Sequence, residues 1–183
     1  MKPLIVLDID NTLVFSQVQK FPWSDTCLPQ IQVQPGIWCS PRPFLQPFLD
    51  WLFNNFEVGI WTAATAGYAH AVINNFVAII GSGRRLKFVF TARETMQSRV
   101  RYGGHKNLQF LRDTGFLAPH EIAVLVDDHE DAKRTNGVNC ILVQAFGPVQ
   151  FGMNVIDWTG YSAMCQDQTL RRVAENLQNR FMN

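Results

Sequence analysis

Leu4-Ile5-Val6-Leu7-Asp8-Ile9-Asp10-Asn11-Thr12-Leu13-Val14 decides how this 183-residue chain is read. Four apolar residues lead into two carboxylates at i and i+2, and a threonine follows two positions later. A short apolar run bounded by polar residues reads as a strand of a buried parallel sheet, and such sheets bind ligands just beyond their strand carboxyl ends. Two acids at the exit of a buried strand repel each other and are costly to desolvate. A hard cation such as Mg²⁺ together with phosphate chemistry accounts for the placement, because Mg²⁺ prefers carboxylate oxygen and an ionised aspartate is a competent phosphoryl acceptor. Asp, Asn and Thr also start turns, so this segment alone allows a strand followed by an acidic turn.

Further apolar runs follow at Val58–Trp61, Phe88–Phe90, Ile122–Val126 and Cys140–Val143. Between them the spacing predicts helices: one opened by Ser40-Pro41-Arg42-Pro43, with Phe44, Phe48, Leu49, Leu52 and Phe53 on one face; a second from Gly67 to about Ile80; and a third from Lys106 to Thr114. A last amphipathic helix spans Asp167–Phe181. The segment from Phe15 to Pro41, rich in proline and carrying the alternating Ile31-Gln32-Val33, reads as an irregular loop with a small hairpin. The stretch before Gly103-Gly104 reads as polar and irregular. Strands alternating with helices predict an α/β fold, a central parallel sheet flanked by helices, in a single domain over 1–183.

Apolar residues make up 47% of the chain and the formal net charge is +1, which implies no global attraction to nucleic acid or to a membrane surface. No apolar run reaches bilayer-spanning length. A chain opening on its first strand leads to the expectation of no targeting segment and a cytoplasmic location. Cys27, Cys39, Cys140 and Cys165 lack C-x-x-C spacing and are expected to be reduced thiols.

Residues after different strands of such a sheet converge at one edge. The exits are Asp8 to Thr12, Thr62 and the acid pair Asp127-Asp128, with Lys106 nearby in sequence. Carboxylates crowded into one crevice need a divalent cation and a lysine. The same set suits phosphoryl transfer: Asp8 to attack, Asp10 to protonate the leaving group, Thr62 and Lys106 to hold phosphoryl oxygens. Asp8, the Asp10 carbonyl, Asp127 and Asp128 form the candidate Mg²⁺ site.

Asp8-Ile9-Asp10-Asn11-Thr12 resembles the D-x-D-x-T signature of haloacid dehalogenase-type phosphatases. Leu7 to Val14, Arg42-Pro43-Phe44-Leu45-Gln46-Pro47-Phe48-Leu49, Phe56 to Ala63 with Tyr68-Ala69, Lys106-Asn107-Leu108 and Val126 to Asp131 together resemble one branch, the C-terminal-domain phosphatase-like or NLI-interacting-factor-like group. The resemblance implies a Rossmann-like fold and a Mg²⁺-dependent phosphatase that forms an aspartyl-phosphate on Asp8. In it, Asp10 is general acid and then base, Thr12 braces the first loop, Asp128 is the direct metal ligand of its pair, and Asp127 supports through Lys106 or water. Arg93 and Glu94 resemble an Arg-Glu pair that precedes the branch's lysine motif, and Thr12 and Arg93 are the substrate-binding candidates.

The 43 residues between Thr62 and Lys106 are too few for a large cap domain, so the expected substrate is a phosphorylated macromolecule: phosphoserine or phosphothreonine on protein, with a polynucleotide end or a small metabolite as alternatives. A catalytically silent binding module is the reading from another class, although silent members typically lose acids that are all present here. Arg84, Arg85, Lys87, Arg93, Arg99, Arg101 and Lys106 form a basic segment that would attract an extended anionic substrate if it borders the crevice. Phe21, Trp23 and Trp38 offer apolar or stacking contacts.

Overall fold

Alternate residues of the first apolar run face opposite ways, and both faces are covered. The computed structural model describes residues 2–20, 22, 28–147 and 158–182. Strand β1 (Leu4–Leu7) sends Ile5 and Leu7 into one apolar cluster and Leu4 and Val6 into another, as a parallel strand buried on both faces requires. The chain then forms β2 (Val14–Gln17), β3 (Ile31–Gln34) and β4 (Ile37–Pro41), which make a separate antiparallel sheet in the order β2-β4-β3. The small insertion expected at about 15–41 is therefore three-stranded, its β3–β4 hairpin turning at Pro35-Gly36, where Gly36 takes φ 73°. Phe21, Trp23 and Cys27 lie outside the described residues.

Helix α1 (Leu45–Asn55) starts later than the prolines suggest. Pro41 ends β4 opposite Val14, and Phe44 precedes the helix at φ 65°, its ring stacked on the Arg171 guanidinium. Strand β5 (Glu57–Trp61) follows, then α2 (Ala66–Val72), which widens into a π-helical stretch at Ile73–Val77. Strand β6 (Val89–Phe90) leads into α3 (Ala92–Tyr102), where the sequence reads as polar and irregular. The inward residues of α3 are Thr95 and Ser98, so it carries no apolar periodicity. Helix α4 (Gln109–Asp113), β7 (Ala123–Asp127), α5 (Glu130–Asn136), β8 (Cys140–Leu142), α6 (Trp158–Cys165) and α7 (Thr169–Phe181) complete the described order.

The five long-range strands pair in parallel in the order β6-β5-β1-β7-β8. Leu7 is level with both Ile60 and Val126, so Asp8, Trp61 and Asp127 leave the sheet at one height. That register positions the site. No described helix is long and apolar enough to cross a membrane. Cys39 and Cys140 are buried free thiols, pushed by burial up to about 11 and about 12. Cys165 is disulfide-bonded, which corrects the expectation of four reduced cysteines.

Arg42, from the R-P stretch that precedes α1, is buried to 1% exposure and ties three segments together. Its guanidinium pairs with both Asp167 oxygens at 3.1 Å and donates to the Thr12 carbonyl at 2.9 Å, the Asn11 carbonyl at 3.3 Å and the Gln144 carbonyl at 2.6 Å. The loop after β1 is thus clamped to the start of α7, and Asn11 is held at φ 57°. Removing one partner of a buried pair strands the other charge, at about 3–5 kcal/mol. Arg42→Ala is expected to lose about that much in urea denaturation, and Arg42→Lys to recover only part because it lacks the planar fork. A loss below about 1 kcal/mol for Arg42→Ala would show that the clamp contributes little.

Candidate active site

Three strand ends and one loop build the crevice. Asp8 follows β1, Thr62 follows β5, Asp127 ends β7 with Asp128 behind it, and Lys106 enters from the segment between α3 and α4. These residues, with Asp10, border one opening of about 210 Å³. Asp8, Thr62, Lys106 and Asp127 are buried, at 6%, 1%, 5% and 1% exposure.

Lys106 Nζ stands between the two strand-end acids, 2.5 Å from Asp8 Oδ1 and 2.7 Å from Asp127 Oδ2. Burial alone would lower the ammonium, but the Asp8 and Asp127 carboxylates reverse that and hold it above its usual value. Burial pushes the Asp8 carboxyl up to about 7, opposed by Lys106 and reinforced by Asp127 and Asp128. The other Asp127 oxygen accepts the His129 backbone N–H at 2.8 Å. Burial, then the neighbouring Asp127, raises Asp128 as well.

Asp10 is turned away from this cluster. Tyr68 donates its hydroxyl to Asp10 Oδ1 at 2.5 Å, and Ser16 donates to the same oxygen at 3.2 Å. Burial raises the Asp10 carboxyl and the two hydroxyls oppose the rise, leaving it above the ordinary range and able to carry a proton. The Thr12 hydroxyl makes long contacts, 3.4 Å to Asp8 Oδ2 and 3.5 Å to Asp128 Oδ1. Thr62 Oγ1 accepts the Ala64 N–H at 3.1 Å, and its carbonyl accepts from Thr95, whose hydroxyl in turn receives the Trp61 indole N–H.

Lys106 is not on a helix, contrary to the expected span Lys106–Thr114. Asn107 Oδ1 accepts the Gln109 N–H at 2.9 Å and so starts the helix after the lysine, which leaves Lys106 in a loop. Arg93 is exposed in the first turn of α3 and does not border the crevice, while Glu94 caps that helix by accepting the Thr91 N–H. The basic segment is largely neutralised. Arg84 pairs with Asp50, Lys87 with Glu57 and Glu121, Arg101 with Asp113, and Lys106 is internal. Arg85, Arg93 and Arg99 are exposed.

Sequence reasoning named Tyr68 only within a motif and did not single out Ser16, His105 or His129. The two imidazoles stack with centroids 5.5 Å apart beside the crevice. Asp8, Asp127 and Asp128 each offer an oxygen within 4.8 Å of the others. Three hard oxygen donors, two of them buried and offset by one lysine, fit Mg²⁺ in both ligand type and charge.

Residues 3–178 match the family model described as NLI interacting factor-like phosphatase. The chain is similar to CTD phosphatase-like protein 355R of Invertebrate iridescent virus 6, 33% identical over 159 residues that cover 78% of this chain and 85% of the relative. It is also similar to the 355R protein of Invertebrate iridescent virus 3, 29% identical over 157 residues, covering 79% and 84%. In fold it is similar to Fcp1, an essential RNA polymerase II CTD phosphatase, with a TM-score of 0.55 and 19% identity over 98% of this chain and 53% of that one. A fission yeast Fcp1 variant bound to beryllium fluoride gives 0.54 and 18%, over 97% and 51%. The chain thus spans about half the length of these solved structures.

A cation that binds only the folded acid cluster stabilises the fold by mass action, by about 2.7 kcal/mol at a hundredfold excess over Kd. For a chain of this length that raises Tm by about 5–10 °C. Mg²⁺ is expected to produce such a shift in thermal unfolding, and Asp128→Ala, which removes the oxygen donor, to abolish most of it. Equal shifts in both proteins would remove Asp128 from the cation site.

Proposed function

Because the chain belongs to the NLI interacting factor-like phosphatases, we propose that it hydrolyses phosphoserine or phosphothreonine on protein in a Mg²⁺-dependent reaction through an aspartyl-phosphate on Asp8. The observation that carries this reading is the buried Asp8 carboxylate, with one oxygen on Lys106 and an oxygen within 4.8 Å of Asp127 and Asp128. A nucleophile, a cation for the phosphoryl group and a metal-binding acid pair share one crevice.

Asp8 attacks phosphorus, forming an acyl-phosphate bond as the bond to the substrate oxygen breaks, and Asp10 delivers its proton to that oxygen. Tyr68 and Ser16 orient Asp10 for this transfer. Asp10, now a carboxylate, takes a proton from water, and the water oxygen attacks phosphorus and releases Asp8. Lys106 and Thr62 hold the equatorial oxygens. Mg²⁺, when held by Asp8, Asp128 and the Asp10 carbonyl with Asp127 in support, supplies further positive charge to those oxygens. Thr12 steadies the first loop and Arg93 meets the anionic flank of the substrate.

A protein substrate is supported by the open crevice, which no large cap encloses among the described residues, and by the viral relatives' description as CTD phosphatase-like. The pairing of Arg84, Lys87 and Arg101 argues against a long nucleic-acid track. A single domain over 1–183 and a cytoplasmic location belong to the same reading, and the Cys165 disulfide is the feature that runs against that location.

Turnover of phosphopeptides, phosphorylated oligonucleotides and sugar phosphates with Mg²⁺ tests the substrate class. Phosphopeptides are expected to lead, and oligonucleotide turnover far above them would overturn the assignment. Asp8→Asn is expected to lose at least about 10⁴-fold in kcat, since no substitute nucleophile is present. A variant matching the wild type would make the chain a silent module. Asp10→Asn is expected to lose about 10²–10⁴-fold on phosphoserine and much less on an aryl phosphate, whose leaving group needs no proton.

A further inference from the structure

Lys106 carries its charge into the crevice from an irregular loop, so something other than helix or sheet hydrogen bonding must fix its height. The loop is gripped mainly by α5, the helix that begins just after Asp127-Asp128. At one end Asp131 Oδ2 accepts the His105 N–H at 3.1 Å. At the other, the Asn136 carboxamide spans the lysine's own peptide. Its Nδ2 donates to the Lys106 carbonyl at 2.7 Å and to the Ala132 carbonyl at 2.9 Å, while its Oδ1 accepts the Leu108 N–H at 2.9 Å. Between these two anchors Gly104 presses on the helix so closely that a Cβ would lie 2.4 Å from Thr135 Oγ1. On the far side Ser98 of α3, fully buried, accepts the Asn107 N–H at 3.0 Å.

We infer that Asn136 is a positioning residue for the phosphoryl-holding lysine, making the acid pair after β7 and Lys106 one rigid unit with α5 as the bracket. A buried main-chain carbonyl and amide need partners, and in this loop the Asn136 side chain supplies one of each on either side of Asn107. Losing it frees both groups and lets the loop shift. A shift of about 1 Å at a reacting group costs on the order of 10²-fold in rate. The side chain touches neither substrate nor metal and acts through Lys106, so this inference rests on the role proposed above for that lysine.

The test is the binding of beryllium fluoride with Mg²⁺, an aspartyl-phosphate mimic, measured calorimetrically because it needs no turnover. Lys106→Met is expected to weaken binding. Asn136→Ala is expected to weaken it by about tenfold or more in the wild-type background and by less than about twofold in the Lys106→Met background, because residues acting through one group are non-additive. Gly104→Ala displaces the same loop from the Thr135 side, should show the same dependence on Lys106, and keeps the test open if Asn136→Ala does not fold. Unchanged affinity in Asn136→Ala, or equal weakening in both backgrounds, would overturn the positioning role while leaving the lysine's role intact. Unchanged affinity in Lys106→Met would overturn both.

Discussion

The ammonium of Lys106 between Asp8 and Asp127 is the contact on which the rest of the site depends. A parallel sheet whose neighbouring strands end level places their exit residues side by side, and here two of those residues are buried carboxylates. Without a cation they would repel each other in a poorly solvated crevice, and at least one would be protonated. The lysine offsets part of that repulsion, and the acid set still exceeds it in charge. The excess is the electrostatic reason the crevice suits a divalent cation, and the lysine's positive charge is the reason it suits a phosphoryl group.

Asp8 and Asp10, two residues apart, are separated chemically by what surrounds them. Asp8 faces Lys106 and the second acid pair, whereas Asp10 turns to the hydroxyls of Tyr68 and Ser16. In the proposed mechanism the first attacks phosphorus and the second carries the proton. The Arg42 clamp on the Asn11 and Thr12 carbonyls holds the short loop between β1 and β2 that carries Asp10. The fold thereby gives two residues a dipeptide-scale distance apart two distinct environments.

The central sheet was legible because its strands are continuous apolar runs, and the convergence of Asp8, Thr62 and Asp127 was legible because strand ends share an edge. Helix α3 was not, since its buried face is Thr95 and Ser98 rather than an apolar stripe. Its one readable signal was Thr91-x-x-Glu94, a capping box. The lysine was placed on a helix because Leu108, Phe110 and Leu111 keep helical spacing, and Asn107 was the overlooked start signal. The basic segment read as a surface because charge partners such as Asp50 and Glu57 lie far away in sequence. Tyr68, Asn136 and Arg42 act through hydrogen bonds to residues distant in sequence, which leave no periodic trace.

Acid-quenched single turnover with a phosphopeptide, followed by peptide mapping, tests the central claim most directly. The account predicts a hydroxylamine-labile phosphoryl group that forms and decays during turnover and maps to Asp8 alone. Phosphate release without any phosphorylated enzyme species, or a phosphoryl group on another residue, would contradict it.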